Sequence, residues 1–334
     1  MRTWALLLLA GCYAAHPGAG SPCSDGPCPT GLVCSPASQT CELTAIDAGP
    51  VAIDAPNVSM IDGSMVAPPP NDTAGGAIDV SAGGTFTADL SGAHDDAANA
   101  GCSGHGGLDV FYTVRLDAAQ VLYFDTFGSA FATELRVYPG KSCSALTTPI
   151  CNEAACGGAH SQFALQLPAG TSCIVVDQKA GETATDLQLH VQLGGRAGTR
   201  LASGAQTYTD DSCADGTNAT NAPSACVTND NNTAKDIGYF FTVCPNTTSH
   251  LDATTCADST QTHFDTVMYL GKEGGASLAC EDDDNACQPR TERPDKGDGS
   301  ILRSVAVSGP GLFWLTVDGY DGQCGGFQLV TNLQ

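Results

Sequence analysis

From residue 71 onward, apolar and polar residues alternate in short runs. They read TFTADL, DVFYTVRL, QVLYFDTF, ELRVYPG, FALQLPAG, CIVVD and LQLHVQL, separated by Gly, Asn, Asp and Pro. A period of two over four to eight residues, bounded by turn formers, predicts β-strands with one face buried. No amphipathic run of helical period is long enough to compete with them. The fold class expected is therefore all-β.

The same set of runs then recurs. Asp109-Val-Phe-Tyr-Thr-Val matches Asp236-Ile-Gly-Tyr-Phe-Phe, and Leu135-Arg-Val-Tyr-Pro-Gly matches Val267-Met-Tyr-Leu-Gly. Ser161 to Gly170, leading to Ile174-Val-Val-Asp177, matches Ser300 to Gly311, leading to Leu315-Thr-Val-Asp318. Leu187-Gln-Leu matches Phe327-Gln-Leu. The offset is about 127 to 141 residues, the length of a whole domain rather than of a solenoid unit. Two tandem jelly-roll-type β-sandwiches are expected, at 71–194 and 195–334.

The residues before them are of another kind. Met1-Arg2-Thr3 carries one cation, Trp4 to Ala10 is apolar, and Leu9-Ala10-Gly11-Cys12 follows. The apolar run suits a signal-peptide core and is far short of the roughly 20 residues of a membrane-spanning helix. The tetrapeptide matches the bacterial lipobox, so residues 1–11 read as a lipoprotein signal peptide and Cys12 as the lipidated residue. Tyr13 in place of Asp resembles lipoproteins of the outer membrane. Residues 12–41 form a Cys-rich module, with Cys23, Cys28, Cys34 and Cys41 in two small disulfide loops. Residues 42–70 repeat Ile-Asp and close on three prolines, which predicts a disordered linker. Extended in polyproline style, it would reach about 90 Å at roughly 3.1 Å per residue.

Composition adds two constraints. Seventeen Cys, in a chain that opens with a secretory leader, predict a disulfide framework in an oxidising compartment. Setting Cys12 aside leaves an even number. Cys213–Cys226, Cys244–Cys256 and Cys280–Cys287 are plausible local pairs, as is Cys143–Cys151 or Cys151–Cys156. The first sandwich holds five cysteines and the second seven. Either one bridge crosses between them or two thiols stay free. The net charge of −23 opposes nucleic acid and anionic lipid and favours cations.

With these elements placed, the second sandwich resembles the bacterial pre-peptidase C-terminal (PPC) domain. The resemblance is carried by Asp236 to Phe241, Phe264 to Leu270, the acidic loop Cys280 to Asp284, Gly311 to Gly319, and Gly326 to Leu329. The first copy is more diverged, with Thr133-Glu134 where the second has Asp265-Thr266, and Cys151-Asn152-Glu153 where it has Cys280-Glu281-Asp282. The resemblance implies a small jelly-roll sandwich of the kind appended to secreted enzymes, some of which bind calcium, polysaccharide or collagen.

The strongest local chemistry is Glu281-Asp282-Asp283-Asp284, between Cys280 and Cys287. Calcium takes six to eight oxygen ligands, and Asp265 and Asp318 could join these four if the sandwich brings them near. Asp318-Gly-Tyr-Asp321-Gly reads as turn chemistry, as does Asp295-Lys-Gly-Asp298-Gly. His105 lies in a Gly-flanked turn. Tyr239, Tyr269, Trp314 and Tyr320 could form a small sugar platform, although such residues more often face a core. No linear motif of a hydrolase, nucleotide-binding or zinc enzyme is present. The function expected is a non-catalytic lipoprotein of the outer membrane or cell surface. It would present two binding modules to an extracellular protein or polysaccharide, with calcium as an aid to stability. A hydrolase or hydrolase accessory subunit without a linear motif, and a structural envelope component, are the alternatives.

Overall fold

The computed structural model describes residues 23, 28, 32–34, 39–43, 66–97, 102, 106–183, 185–227, 232–257, 261–273, 275–287 and 299–334. Cys12, the leader, His105, Asp295, Asp298 and most of the 42–70 linker lie outside the described residues. The chain divides into two compact units, Met1–Ser64 and Met65–Gln334.

In the first unit, β1 (Leu32–Cys34) and β2 (Cys41–Leu43) form an antiparallel hairpin with Cys34 opposite Cys41. Disulfides Cys23–Cys34 and Cys28–Cys41 interleave across it. A segment this small cannot bury a sufficient core, so covalent bonds take that role.

The second unit is built of strands. Its first half contains β3 (Ile78–Asp79), β4 (Gly84–Asp89), β5 (Asp109–Leu116), β6 (Gln120–Asp125), β7 (Thr133–Tyr138), β8 (Ile150–Asn152), β9 (Gln162–Leu167), β10 (Gly170–Gln178) and β11 (Asp186–Leu193). Its second half contains β12 (Thr199–Arg200), β13 (Gly204–Asp211), β14 (Ile237–Val243), β15 (Thr248–Thr254), β16 (Thr266–Gly271), β17 (Ser277–Asp282), β18 (Ile301–Ser308), β19 (Gly311–Gly319) and β20 (Gly326–Leu333). The first half pairs in the orders β3-β5-β10-β7-β8 and β4-β11-β6-β9. The second pairs as β12-β14-β19-β16-β17 and β13-β20-β15-β18, the same topology strand for strand. Each half is a β-sandwich of a five-stranded and a four-stranded sheet.

Alternation decides which face each strand buries. In β20 every second residue is buried, and Phe327, Leu329 and Leu333 enter the core with Tyr239, Phe241, Phe313 and Leu315. The central strand β19 departs from alternation and is buried throughout. Its outer face is covered as well, by loops and by the first sandwich. Its sequence, LFWLTV, is accordingly apolar at every position but Thr316.

A buried hydroxyl cluster marks the duplication. Thr126 and Thr133 share a hydrogen bond of 2.5 Å, and Ser161 donates to the Thr133 carbonyl at 3.0 Å. Thr255, Thr266 and Ser300 repeat this arrangement in the second sandwich, with Thr255 to Thr266 at 2.7 Å. All six residues are fully buried. They correct the expected alignment of the two copies. Asp177 faces Glu134 and Asp318 faces Val267. Thr133 therefore corresponds to Thr266, and Glu134 to Val267.

The two sandwiches are joined by an apolar contact. Val121, Tyr123 and Ala164 pack against Phe240, Leu312 and Trp314. Gln162 Nε2 donates to the Val243 carbonyl at 3.1 Å, and Gly198 N to Gln166 Oε1 at 3.1 Å. Disulfide Cys156–Cys244 links the halves covalently.

The remaining bridges are Cys102–Cys151, Cys143–Cys173, Cys213–Cys324 and Cys256–Cys287. The expected pairs Cys213–Cys226, Cys244–Cys256 and Cys280–Cys287 do not form, nor does Cys143–Cys151 or Cys151–Cys156. Sheet pairing explains the difference. Asp211, ending β13, faces Gly326, beginning β20, which sets Cys213 beside Cys324 across 111 residues. The odd counts are resolved by the one bridge that crosses the domains, and Cys226 and Cys280, both in the second sandwich, are left as thiols. Among the described residues, no helix is long and apolar enough to cross a membrane.

Candidate functional site

The aspartates that open the two D-x-x-Y strands prove to be buried anchors. In the first sandwich Asp177 stands opposite Asp109 on one side and Glu134 on the other, so three carboxylates form a row across β5, β10 and β7. All three are fully buried, as is Arg136 two residues along the same face of β7. Arg136 donates to Glu134, to Asp177, and to the Ala97 carbonyl at 2.7 Å. Asp109 Oδ2 accepts the N–H groups of Asp96 and Ala97 at 2.9 and 2.8 Å. One guanidinium cannot neutralise three carboxylates. Burial pushes Asp109 up to about 7 and Asp177 up to about 8, in the latter against the pull of Arg136.

The second sandwich keeps the design with other residues. Asp236 Oδ2 accepts the N–H groups of Ala219 and Thr220 at 2.8 and 3.0 Å. The position of Arg136 is taken by Tyr269, whose hydroxyl bonds Thr220 at 2.7 Å and Asp318 at 3.3 Å. The cation comes instead from Arg196, in the connection between the sandwiches. It reaches Thr220 at 2.6 Å, Thr316 at 2.8 Å and Asp236 at 3.4 Å, and lies 4.5 Å from the Trp314 ring. Burial still raises the Asp236 pKa, opposed by these backbone hydrogen bonds and Arg196.

Of the six carboxylates proposed for calcium, the fold gathers three. Asp265, directly before β16, Asp282, ending β17, and Asp283 have oxygens within 4.8 Å of one another. Register brings them together, because Asp282 faces Val267, two residues beyond Asp265. Asp283 enters the loop with φ +58°. The other three go elsewhere. Asp284 is taken by Arg303, with Nη2 to Oδ1 at 3.0 Å and a second bond to Oδ2, which lowers its pKa. Asp318 Oδ1 accepts the Gly319 N–H at 2.8 Å, and its Oδ2 accepts Tyr269. Glu281 alternates to the opposite face from Asp282, and burial raises its pKa, with Asp284 adding to the rise and Arg303 opposing it.

At the opposite end of the β16–β17 pair lies a cavity of ≈ 140 Å³, walled by Arg196, Thr220, Tyr269, Lys272, Glu273 and Trp314. Its lining mixes the charged Arg196, Lys272 and Glu273 with the apolar Leu270, Pro223 and Trp314. Tyr239 and Trp314 are buried, Trp314 in the contact between the sandwiches, so no open aromatic platform forms from them. Asp321 adopts φ +50° in a single 3-10 turn, as its Asp-Gly sequence implies.

Two groupings escaped sequence reading because their members are far apart in the chain. Asp72, His94 and Asp96 converge in the first sandwich, where His94 Nδ1 meets Asp72 at 2.7 Å and its pKa is raised by that contact. His250 and Ser304 approach to 3.3 Å across β15 and β18, and Ser304 has φ +46°. Asp252 accepts the Ser304 N–H at 2.7 Å rather than orienting the imidazole.

No family model matches the chain, and no curated protein does. Among solved structures, the chain is similar to the pre-peptidase C-terminal domain of collagenase from Bacillus anthracis. The identity is 13% and the TM-score 0.27, covering 35% of this chain and 94% of that one. It is also similar to the plant receptor-like kinase FER, at 11% identity and TM-score 0.19 over 68% and 81% of the two chains. The CUB1-EGF-CUB2 domains of rat MASP-1 give 10% and 0.18 over 77% and 99%. Likenesses of this size carry no argument about function. Fold and disulfides together define a disulfide-rich all-β protein of the secreted or extracellular class.

Proposed function

We propose that this is a non-catalytic, lipid-anchored surface protein of the PPC type. Its two cross-linked sandwiches serve as binding modules for an extracellular protein or polysaccharide, and calcium steadies the second one. The observation that carries the calcium part is the convergence of Asp265, Asp282 and Asp283. Three hard carboxylates from a strand start and a loop suit calcium, which fills its remaining positions with water or loop carbonyls. The net charge of −23 favours cation uptake in the same direction. Binding to the native state alone should raise Tm with calcium concentration. The test is thermal unfolding of the ectodomain in millimolar calcium and in chelator, for wild type and for Asp282→Asn. A calcium-dependent rise that Asp282→Asn abolishes is expected. Equal Tm values in both buffers would remove calcium from the proposal. Glycan and protein arrays with and without chelator address the ligand.

A hydrolase is the second reading, and the His250–Ser304 approach is the observation in its favour. Turnover of ester or peptide substrates that Ser304→Ala abolishes would replace the non-catalytic reading.

A further inference from the structure

Cys226 and Cys280 are the two described cysteines outside a disulfide, while fourteen others are bonded. They are not scattered. Both pack on one small apolar cluster with Ala222, Val227, Val267, Tyr269 and Tyr320, on the outer face of the five-stranded sheet of the second sandwich. Cys280 on β17 stands directly opposite Tyr269 on β16. The Tyr269 hydroxyl bonds Thr220, and Asp236 holds the Ala219 and Thr220 amides, so the loop carrying Cys226 is fastened over this strand pair. A turn closed by Cys226 N to the Pro223 carbonyl at 2.8 Å then delivers Cys226 to the sheet. Burial pushes the Cys226 thiol up, and the neighbouring Cys280 thiol adds to the rise.

We propose that Cys226 and Cys280 close into an eighth disulfide, which latches the 216–227 loop to β17. This loop supplies Thr220, Asn221 and Pro223 to the wall of the cavity, whose other side carries Tyr269 and Ser277. The bond therefore fixes the width of that cavity covalently. In the closing step two S–H bonds break and one S–S bond forms. The S–S bond of a secretory-compartment oxidoreductase breaks in exchange, through a mixed disulfide, and that protein takes up the two electrons and two protons and leaves as a dithiol.

The test uses full-length protein exported to an oxidising compartment, denatured without reductant and treated with N-ethylmaleimide. A protease cutting at aspartate separates Cys213 from Cys226 at Asp215, and Cys280 from Cys287 at Asp282 to Asp284. Mass spectrometry should then find the Cys226 and Cys280 peptides joined, lighter by two hydrogens than their sum and free of maleimide. Maleimide on both cysteines, or any other partner for either, overturns the proposal. In Cys226→Ser, Cys280 should become labelled, and proteolysis within residues 216–227 of the native protein should quicken several-fold. A cleavage rate equal to wild type would overturn the latch even if the bond exists.

Discussion

Arg136 has no exposed surface and sits among three carboxylates in a chain whose few cations look, by sequence, destined for solvent. Arg136→Met should destabilise the first sandwich by about 3–5 kcal/mol, because it leaves buried carboxylates without their cation. Denaturant unfolding would measure this. The same row predicts a pH dependence. Asp109 and Asp177 titrate near 7 and 8 in the native state, against roughly 3.9 when unfolded. Between those values the native state binds protons that the unfolded chain has released. Their contribution to stability is full below about pH 4 and is lost as pH rises through 7 to 8. Unfolding should therefore require less denaturant at pH 8.5 than at pH 6, and Asp177→Asn should flatten that slope. An unchanged slope would mean the proton resides elsewhere. The aspartates themselves were visible as repeated motif positions. Their burial was not, since a D-x-x-Y strand reads equally well with its first residue at a solvated strand end.

At the scale of the elements, alternation marked most of the strands, because a half-buried sheet leaves a period of two in the sequence. Register was harder to see. Thr133-Glu134 resembles Asp265-Thr266 by residue type, yet the hydroxyl clusters align Thr133 with Thr266. Disulfide pairing was illegible for a related reason, since sheet order decides which distant strand ends meet. The calcium set was half legible. Neighbouring carboxylates on one strand alternate faces, so Glu281 and Asp282 could not both point to one ion. The connection between the sandwiches shows what close approach demands. A Cβ on Gly198 would lie 2.5 Å from Trp314 Cζ3 and 2.7 Å from the Gly238 carbonyl. Gly198→Ala should therefore cost about 1–3 kcal/mol through overpacking. It should also change the tryptophan fluorescence of the native state, because Trp314 is the side chain that must move.

For the whole molecule, the consequential contact is the one between the sandwiches. It is made of six apolar side chains, Arg196 and the Cys156–Cys244 bond. Arg196 belongs to the connection, yet it supplies the cation that the second sandwich lacks at the position of Arg136. The second sandwich therefore depends on the segment that ties it to the first. A bridge spanning 88 residues typically stabilises by roughly 2–5 kcal/mol, chiefly by restricting the unfolded chain. The intact protein should accordingly unfold Met65–Gln334 in a single calorimetric transition. The double variant Cys156→Ser/Cys244→Ser keeps the apolar contact and Arg196 but loses the restraint. Its first transition should fall by several degrees and separate into two, one for each sandwich. A single transition at the wild-type temperature would show that the apolar contact alone couples the halves. The bridge would then serve only to resist forces that pull the two sandwiches apart.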